Sequence, residues 1–132
     1  MELRRLDHVG IVVADLDAHT RQLEAMGLTL GRSSETDLSV ARYYPCGDAS
    51  VELIEARGEA SRTERLGEAA ARIEHIAFEV DDLEEVRDLL RGRGVEVTWP
   101  PYRSGPNLMI WTETATSGGV QYQFLVPAGD AA

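Results

Sequence analysis

The chain contains no lysine: all 13 of its basic residues are arginine. That removes Schiff-base chemistry, a phosphate-loop lysine and every other mechanism that needs a lysine amine. Cysteine is nearly absent too. The lone Cys46 cannot form an intramolecular disulfide, so a reducing cytoplasm is the expected setting. No apolar run approaches the ~20 residues that cross a bilayer. No charged-then-apolar targeting segment precedes the first predicted strand either. Positive charge is scarce, with 13 basic residues against 23 acidic ones, a net charge of −10 and a pI near 4.7. Nucleic acid and anionic membranes are therefore not expected partners. The 132 residues fit one domain spanning 1–132, and half of that length would be a poor candidate to fold alone.

What is present is written twice. Leu6-Asp7-His8-Val9-Gly10-Ile11-Val12-Val13-Ala14-Asp15-Leu16 has a counterpart in Ile73-Glu74-His75-Ile76-Ala77-Phe78-Glu79-Val80-Asp81-Asp82-Leu83. His8 pairs with His75, Asp15 with Asp82 and Gly27 with Gly94, each at an offset of 67 residues. A fixed spacing of this kind marks a duplicated structural unit. In the first copy the alternation predicts a strand over 5–13, a helix from Leu16 to Met26 capped by Asp15 and ended by Gly27, and a short strand from Leu28 to Leu30. Two longer strands follow, Leu38 to Tyr44 and Ala49 to Glu55, joined through Pro45-Cys46-Gly47-Asp48. The second copy repeats the order. A strand over 73–80 leads to a helix from Leu83 to Arg93, then strands over Val95 to Trp99, Leu108 to Thr114 and Val120 to Val126. Pro100 to Pro106 reads as an irregular loop, and Ala128 to Ala132 as a frayed tail. Two β-α-β-β-β modules result, about 5–56 and 72–127, with a charged connector over 57–71 that holds a short helix near Glu64 to Ala70.

Because side chains alternate along a strand, neighbours reveal which face a residue takes. Val9, Ile11 and Val13 suit the helix-packed face and leave His8 on the other; Ile76, Phe78 and Val80 do the same for His75. Glu52 between Val51 and Leu53, and Gln123 between Tyr122 and Phe124, give each copy a second polar residue of ligand type. If the eight strands curve into one open, cupped sheet, the four side chains converge. Two imidazoles, a carboxylate and an amide oxygen suit one divalent ion of the Fe, Co, Ni, Mn or Zn type. One carboxylate against such an ion leaves a centre of about +1, which favours a developing enolate or other oxyanion.

On these residues the chain resembles the vicinal-oxygen-chelate superfamily, which includes glyoxalase I, extradiol dioxygenases, methylmalonyl-CoA epimerase and the bleomycin and fosfomycin resistance proteins. The resemblance covers about residues 5 to 126 and is strongest to methylmalonyl-CoA epimerases, at Leu6 to Leu16, at His75 to Leu83 and over Asn107 to Gln123. It implies an α+β fold of two tandem βαβββ modules forming an open, cupped eight-stranded mixed sheet, with a metal at His8, Glu52, His75 and Gln123. It also implies a homodimer. One departure stands out: epimerases typically place Gln at the second ligand position and Glu at the fourth, the reverse of Glu52 and Gln123. Extradiol dioxygenases need their carboxylate at the fourth position, which makes oxygenase chemistry the less expected.

The resulting expectation is a cytoplasmic, metal-dependent epimerase, isomerase or lyase of a small carbonyl compound, working through an enolate. Glu35, Asp37, Glu113 and Glu52 are the candidate proton carriers. Asn107, Met109, Trp111 and Tyr44 are candidates for the substrate wall, with Tyr43, Tyr102 and Trp99 behind them. Arg42 and Arg103 are candidates to hold an anionic group. The alternatives are a metal-free protein that sequesters a small drug-like molecule, and a glyoxalase I-type lyase.

Overall fold

The computed structural model describes residues Met1–Pro127, so the tail expected over Ala128 to Ala132 lies outside the described residues. Among the described residues, eight strands and three helices run in the order β1 (Leu3–Val13), α1 (Leu16–Ala25), β2 (Arg32–Glu35), β3 (Ser39–Cys46), β4 (Ala49–Ala56), α2 (Glu59–Arg65), β5 (Ala71–Val80), α3 (Leu83–Gly92), β6 (Tyr102–Ser104), β7 (Asn107–Trp111) and β8 (Gln121–Pro127). The strands form one mixed sheet in the order β2-β3-β4-β1-β5-β8-β7-β6. This is the α+β class and the duplicated β-α-β-β-β order that the sequence predicts. No helix among the described residues is long and apolar enough to cross a membrane.

The chain divides into two compact units: His8–Glu74, and Met1–Asp7 together with His75 onward. In the first, β1 runs parallel to β4, with Gly10 opposite Glu52, and β4, β3 and β2 pair antiparallel in turn. α1 starts where Asp15 accepts a hydrogen bond from the Ala18 amide, and Glu55 accepts one from the Leu16 amide. Its apolar stripe of Leu16 and Leu23 packs on Val13, Leu53 and the fully buried Tyr44. The opposite face of these strands carries a second cluster, Val12, Ala41 and Ile54, covered by Leu66 just beyond α2. The connector helix thus forms earlier than the sequence predicts, over Glu59–Arg65, and the Ala-rich run after it is not helical.

In the second unit β5 runs parallel to β8, with Ala77 opposite Gln123, and β8, β7 and β6 pair antiparallel. Asp82 caps α3 by accepting from the Glu84 and Glu85 amides. Leu83 and Val86 then pack on Val80, Ile110 and Phe124. The beginning of the chain is held in this unit by ion pairs: the Met1 ammonium to Glu85 at 2.7 Å, Arg4 to Asp81 at 2.6 Å and Arg5 to Glu79 at 3.4 Å. Each of α1 and α3 gives way to a glycine at positive φ, Gly27 at 100° and Gly94 at 84°, a backbone region open to glycine at little cost.

Two strands fall elsewhere than predicted. Leu28 tucks against the α1 core, and pairing with β3 begins only at Gly31, whose amide donates to the Tyr43 carbonyl at 2.8 Å. In the second unit Val95 to Trp99 contributes a bridge from Val97 to Thr112, and the edge strand is β6, inside the proline-flanked segment read as loop.

Candidate functional site

In the first unit, one face of the sheet carries a row of polar and aromatic side chains set by register. Val9, Ile11 and Val13 turn toward α1, so His8, Gly10 and Val12 face the other way. Glu52 stands opposite Gly10 on β4, and its Oε1 lies 3.4 Å from His8 Nε2. Both residues are 7% exposed. A buried imidazole beside a buried carboxylate is costly to desolvate unless each is engaged, which makes the pair informative. Next in the row comes Tyr43, opposite Glu52 on β3, and then Arg32, opposite Tyr43 on β2. The Arg32 guanidinium sits 3.8 Å from the Tyr43 ring centroid, and the His8 ring meets the same ring edge-on at 6.4 Å. Burial above all, then the charge of Glu52, holds the Tyr43 phenol well above its ordinary range. Arg65 on α2 bonds both Glu74 oxygens, at 2.8 and 2.7 Å. That pairing, aided by the Glu74 and Glu52 charges, raises the Arg65 guanidinium further above its already high value.

The second unit holds the matching pair. His75 is 3% exposed and Gln123 9%. Ala77, two residues past His75, stands opposite Gln123 just as Gly10, two past His8, stands opposite Glu52. The duplication therefore extends to the strand register that presents each pair. Gln123 Nε2 donates to Gln121 Oε1 at 2.9 Å, which commits the amide nitrogen and leaves the amide oxygen as the end that suits a cation. Trp111 is opposite Gln123 and Met109 opposite Leu125, so Asn107, Met109 and Trp111 share the Gln123 face as expected. Tyr102 packs edge-on against Trp111 at 6.1 Å.

Other predicted site residues are placed apart from these pairs. Tyr44 and Arg42 lie on the α1 face, opposite to Glu52. Tyr44 is core, its hydroxyl bonded to the Thr20 hydroxyl at 2.9 Å, and Arg42 reaches Thr20 at 2.8 Å and Asp17 at 3.2 Å. Glu35 is exposed and paired with Arg57, and Asp37 and Glu113 are exposed. Trp99 packs against the α3-side core under the Arg87 guanidinium. Arg32 and Arg65 were not singled out from the sequence, and Tyr43 only as a wall residue. The signal for Tyr43 and Arg32 was the β3–β4 hairpin: once its turn is set at Gly47-Asp48, register alone aligns both with Glu52.

Known proteins carry the same architecture. A family model described as the Glyoxalase/Bleomycin resistance protein/Dioxygenase superfamily matches residues 7–110. The chain is 34% identical over 98 residues to the ethylmalonyl-CoA/methylmalonyl-CoA epimerase of Cereibacter sphaeroides, an alignment covering 70% of this chain and 73% of that protein. It is similar to the crystal structure of methylmalonyl-CoA epimerase from Mycobacterium tuberculosis, with a TM-score of 0.85, 25% identity, and coverage of 98% of this chain and 91% of that one. A variant of the Streptomyces coelicolor methylmalonyl-CoA epimerase, solved with 2-nitronate-propionyl-CoA, matches with a TM-score of 0.83 at 23% identity, covering 97% of this chain and 100% of the other. At that identity the likeness speaks for the fold.

Proposed function

The chain belongs to the glyoxalase/bleomycin resistance protein/dioxygenase superfamily, and on that footing we propose that it is a metal-dependent epimerase of a 2-substituted acyl thioester, akin to methylmalonyl-CoA. The observation that carries this reading is the pairing of a buried histidine with a buried ligand-type residue, repeated in the same strand register in both units. His8, Glu52 and His75 are proposed as the core donors of one divalent ion, with the amide oxygen of Gln123 as the fourth. The donor chemistry fits: imidazole and carboxylate with one amide match the Co, Ni, Mn, Zn or Fe class better than calcium, which takes more oxygens. Bound there, such an ion would supply a net charge of about +1 to the carbonyl oxygens of the substrate.

The chain's own residues supply the rest. Of the four carboxylates considered as proton carriers, Glu52 is buried beside an imidazole, whereas Glu35, Asp37 and Glu113 are exposed. Glu52 is therefore proposed to take the proton from the substrate α-carbon, serving as donor to the ion and as base in turn. The C–H electron pair moves onto the thioester carbonyl as an enolate; a solvent proton delivered to the opposite face gives the inverted centre, and Glu52 releases the abstracted proton to solvent. Asn107, Met109 and Trp111 are proposed to line the substrate, the Trp111 ring held by Tyr102. The family resemblance to the epimerase relatives favours this reading over sequestration or glyoxalase-type lyase chemistry. Solvent deuterium exchange tests it: incubation with racemic methylmalonyl-CoA in heavy water should wash label into the α-carbon, and a chelator should stop it. No metal-dependent label in methylmalonyl-CoA, ethylmalonyl-CoA or a panel of 2-oxo compounds would remove the proposal.

A further inference from the structure

We infer that Arg32 is a substrate-binding residue that takes a free carboxylate on the substrate's α-carbon, so that the chain acts on malonyl-type thioesters rather than plain acyl thioesters. This rests on the epimerase reading above, and it names the class of acyl group that reading accepts. Arg32 belongs to the row that holds the buried carboxylate of the first unit: it stands opposite Tyr43, and Tyr43 stands opposite Glu52. Cross-strand partners point to the same side of a sheet, so the three side chains share one face. The guanidinium stacks 3.8 Å from the Tyr43 ring centroid, so it leans back over β3 instead of off the sheet edge. Paired strands lie about 4.8 Å apart, and β3 is the strand next to the one that carries Glu52.

What singles out Arg32 is its charge. Arg42, Arg57 and Arg65 of the same unit are tied to Asp17, Glu35 and Glu74. Among the described residues no carboxylate lies within ion-pair distance of Arg32, although the chain carries 23 acidic residues against 13 basic ones. A stacked guanidinium presents its N–H donors around its edge, in a fork that matches a carboxylate. The two arginines that the sequence offers for an anionic group lie elsewhere. Arg42 is on the α1 face, and Arg103 stands opposite Leu108, out of step with Met109 and Trp111. Register also fixes where Arg32 enters: a Cβ at Gly31 would lie 2.8 Å from the Pro45 ring, so glycine is what lets β2 begin there. One step along the strands the same face turns apolar, with Val12, Ala41 and Ile54 covered by Leu66. The polar row beside it holds Glu52 at one end and Arg32 at the other. A carboxylate bonded to the α-carbon lies next to the proton that Glu52 is proposed to take. The phosphates of a coenzyme A ester, by contrast, sit at the far end of the pantetheine arm, so the near anion is the one that suits Arg32.

Calorimetric binding of three probes tests the assignment, with circular dichroism as the check on folding. Methylmalonyl-CoA carries the carboxylate and the phosphates, propionyl-CoA only the phosphates, and methylmalonyl-pantetheine only the carboxylate. The variants are R32Q, which removes the charge, and R32M, which also keeps an unbranched apolar stem over Tyr43. In R32Q both methylmalonyl probes should bind about 10- to 100-fold more weakly, the usual worth of a charge-assisted contact. Propionyl-CoA, which lacks the partner group, should stay within about three-fold of its parent affinity. The KM for α-proton exchange of methylmalonyl-CoA should rise by a similar factor with kcat little changed, as expected for a group that binds without taking part in proton transfer. A loss shared by propionyl-CoA, a loss confined to the two coenzyme A esters, or parent-like binding of both methylmalonyl probes overturns the inference. Parent protein that still exchanges the α-proton in any of those cases leaves the epimerase reading standing. Parent protein that neither binds nor exchanges any probe removes both together. Should R32Q fail to fold, R32M decides by the same comparison.

Discussion

Glu52 and Tyr44 differ in the consequence of one position's parity. Along β3, Arg42 and Tyr44 share a face, and Tyr43 takes the other. The sequence offers Tyr44 as a candidate for the substrate wall and Arg42 as one for an anionic group, and both lie one residue out of step with Glu52. Two adjacent tyrosines cannot reveal by composition which of them faces the core, since both are amphipathic. The hydrogen bond from Tyr44 to Thr20 settles it structurally. Tyr44→Phe should therefore cost about 0.5–1.5 kcal/mol in urea unfolding, the usual net worth of one buried hydrogen bond. Its α-proton exchange rate should stay at the parent value. A large loss of exchange with unchanged stability would show that Tyr44 serves the site. His8, His75, Glu52 and Gln123, by contrast, are legible because alternating apolar residues declare the opposite face: Val9, Ile11 and Val13 after His8, Ile76, Phe78 and Val80 after His75, and the residues on either side of Glu52 and Gln123.

At the level of elements, what the sequence conceals is the edge. β2 reads Arg-Ser-Ser-Glu and β6 Tyr-Arg-Ser, and every residue in both is exposed. Neither strand buries an apolar face, so no alternation announces it; backbone pairing alone recruits it to the sheet. Polar, short edges of this kind also discourage pairing with other chains. The helices are the opposite case, announced by their caps. Asp15 and Asp82 each satisfy amides of the first turn, and the glycines after α1 and α3 turn the backbone out. Asp82→Ala removes acceptors for two amides and should lower stability by about 1 kcal/mol, read as a shift in denaturation midpoint without a change in slope. An unchanged midpoint would mean that water replaces the cap without cost.

For the molecule as a whole, duplication was the most readable feature, because a fixed offset survives even where the two copies share little else. The resemblance to epimerases places amide and carboxylate in the reverse order from Glu52 and Gln123. If the two pairs serve one ion, the order should matter less than the inventory. The E52Q/Q123E double variant keeps one carboxylate and one amide, and with them a centre of about +1. It should bind Co2+ more tightly than E52Q alone, measured by equilibrium Co2+ titration. Weaker binding than E52Q would show that the two positions are not interchangeable.

The membership of Met1–Asp7 in the unit completed by His75 onward bears on how the protein is made. During synthesis the segment His8–Glu74 leaves the ribosome before the residues from His75 onward exist. The opening residues must wait. Their ionic partners Glu79, Asp81 and Glu85 do not yet exist when Arg5, Arg4 and the Met1 ammonium emerge. The near end of the first strand is thus the part of it whose ionic partners are made last.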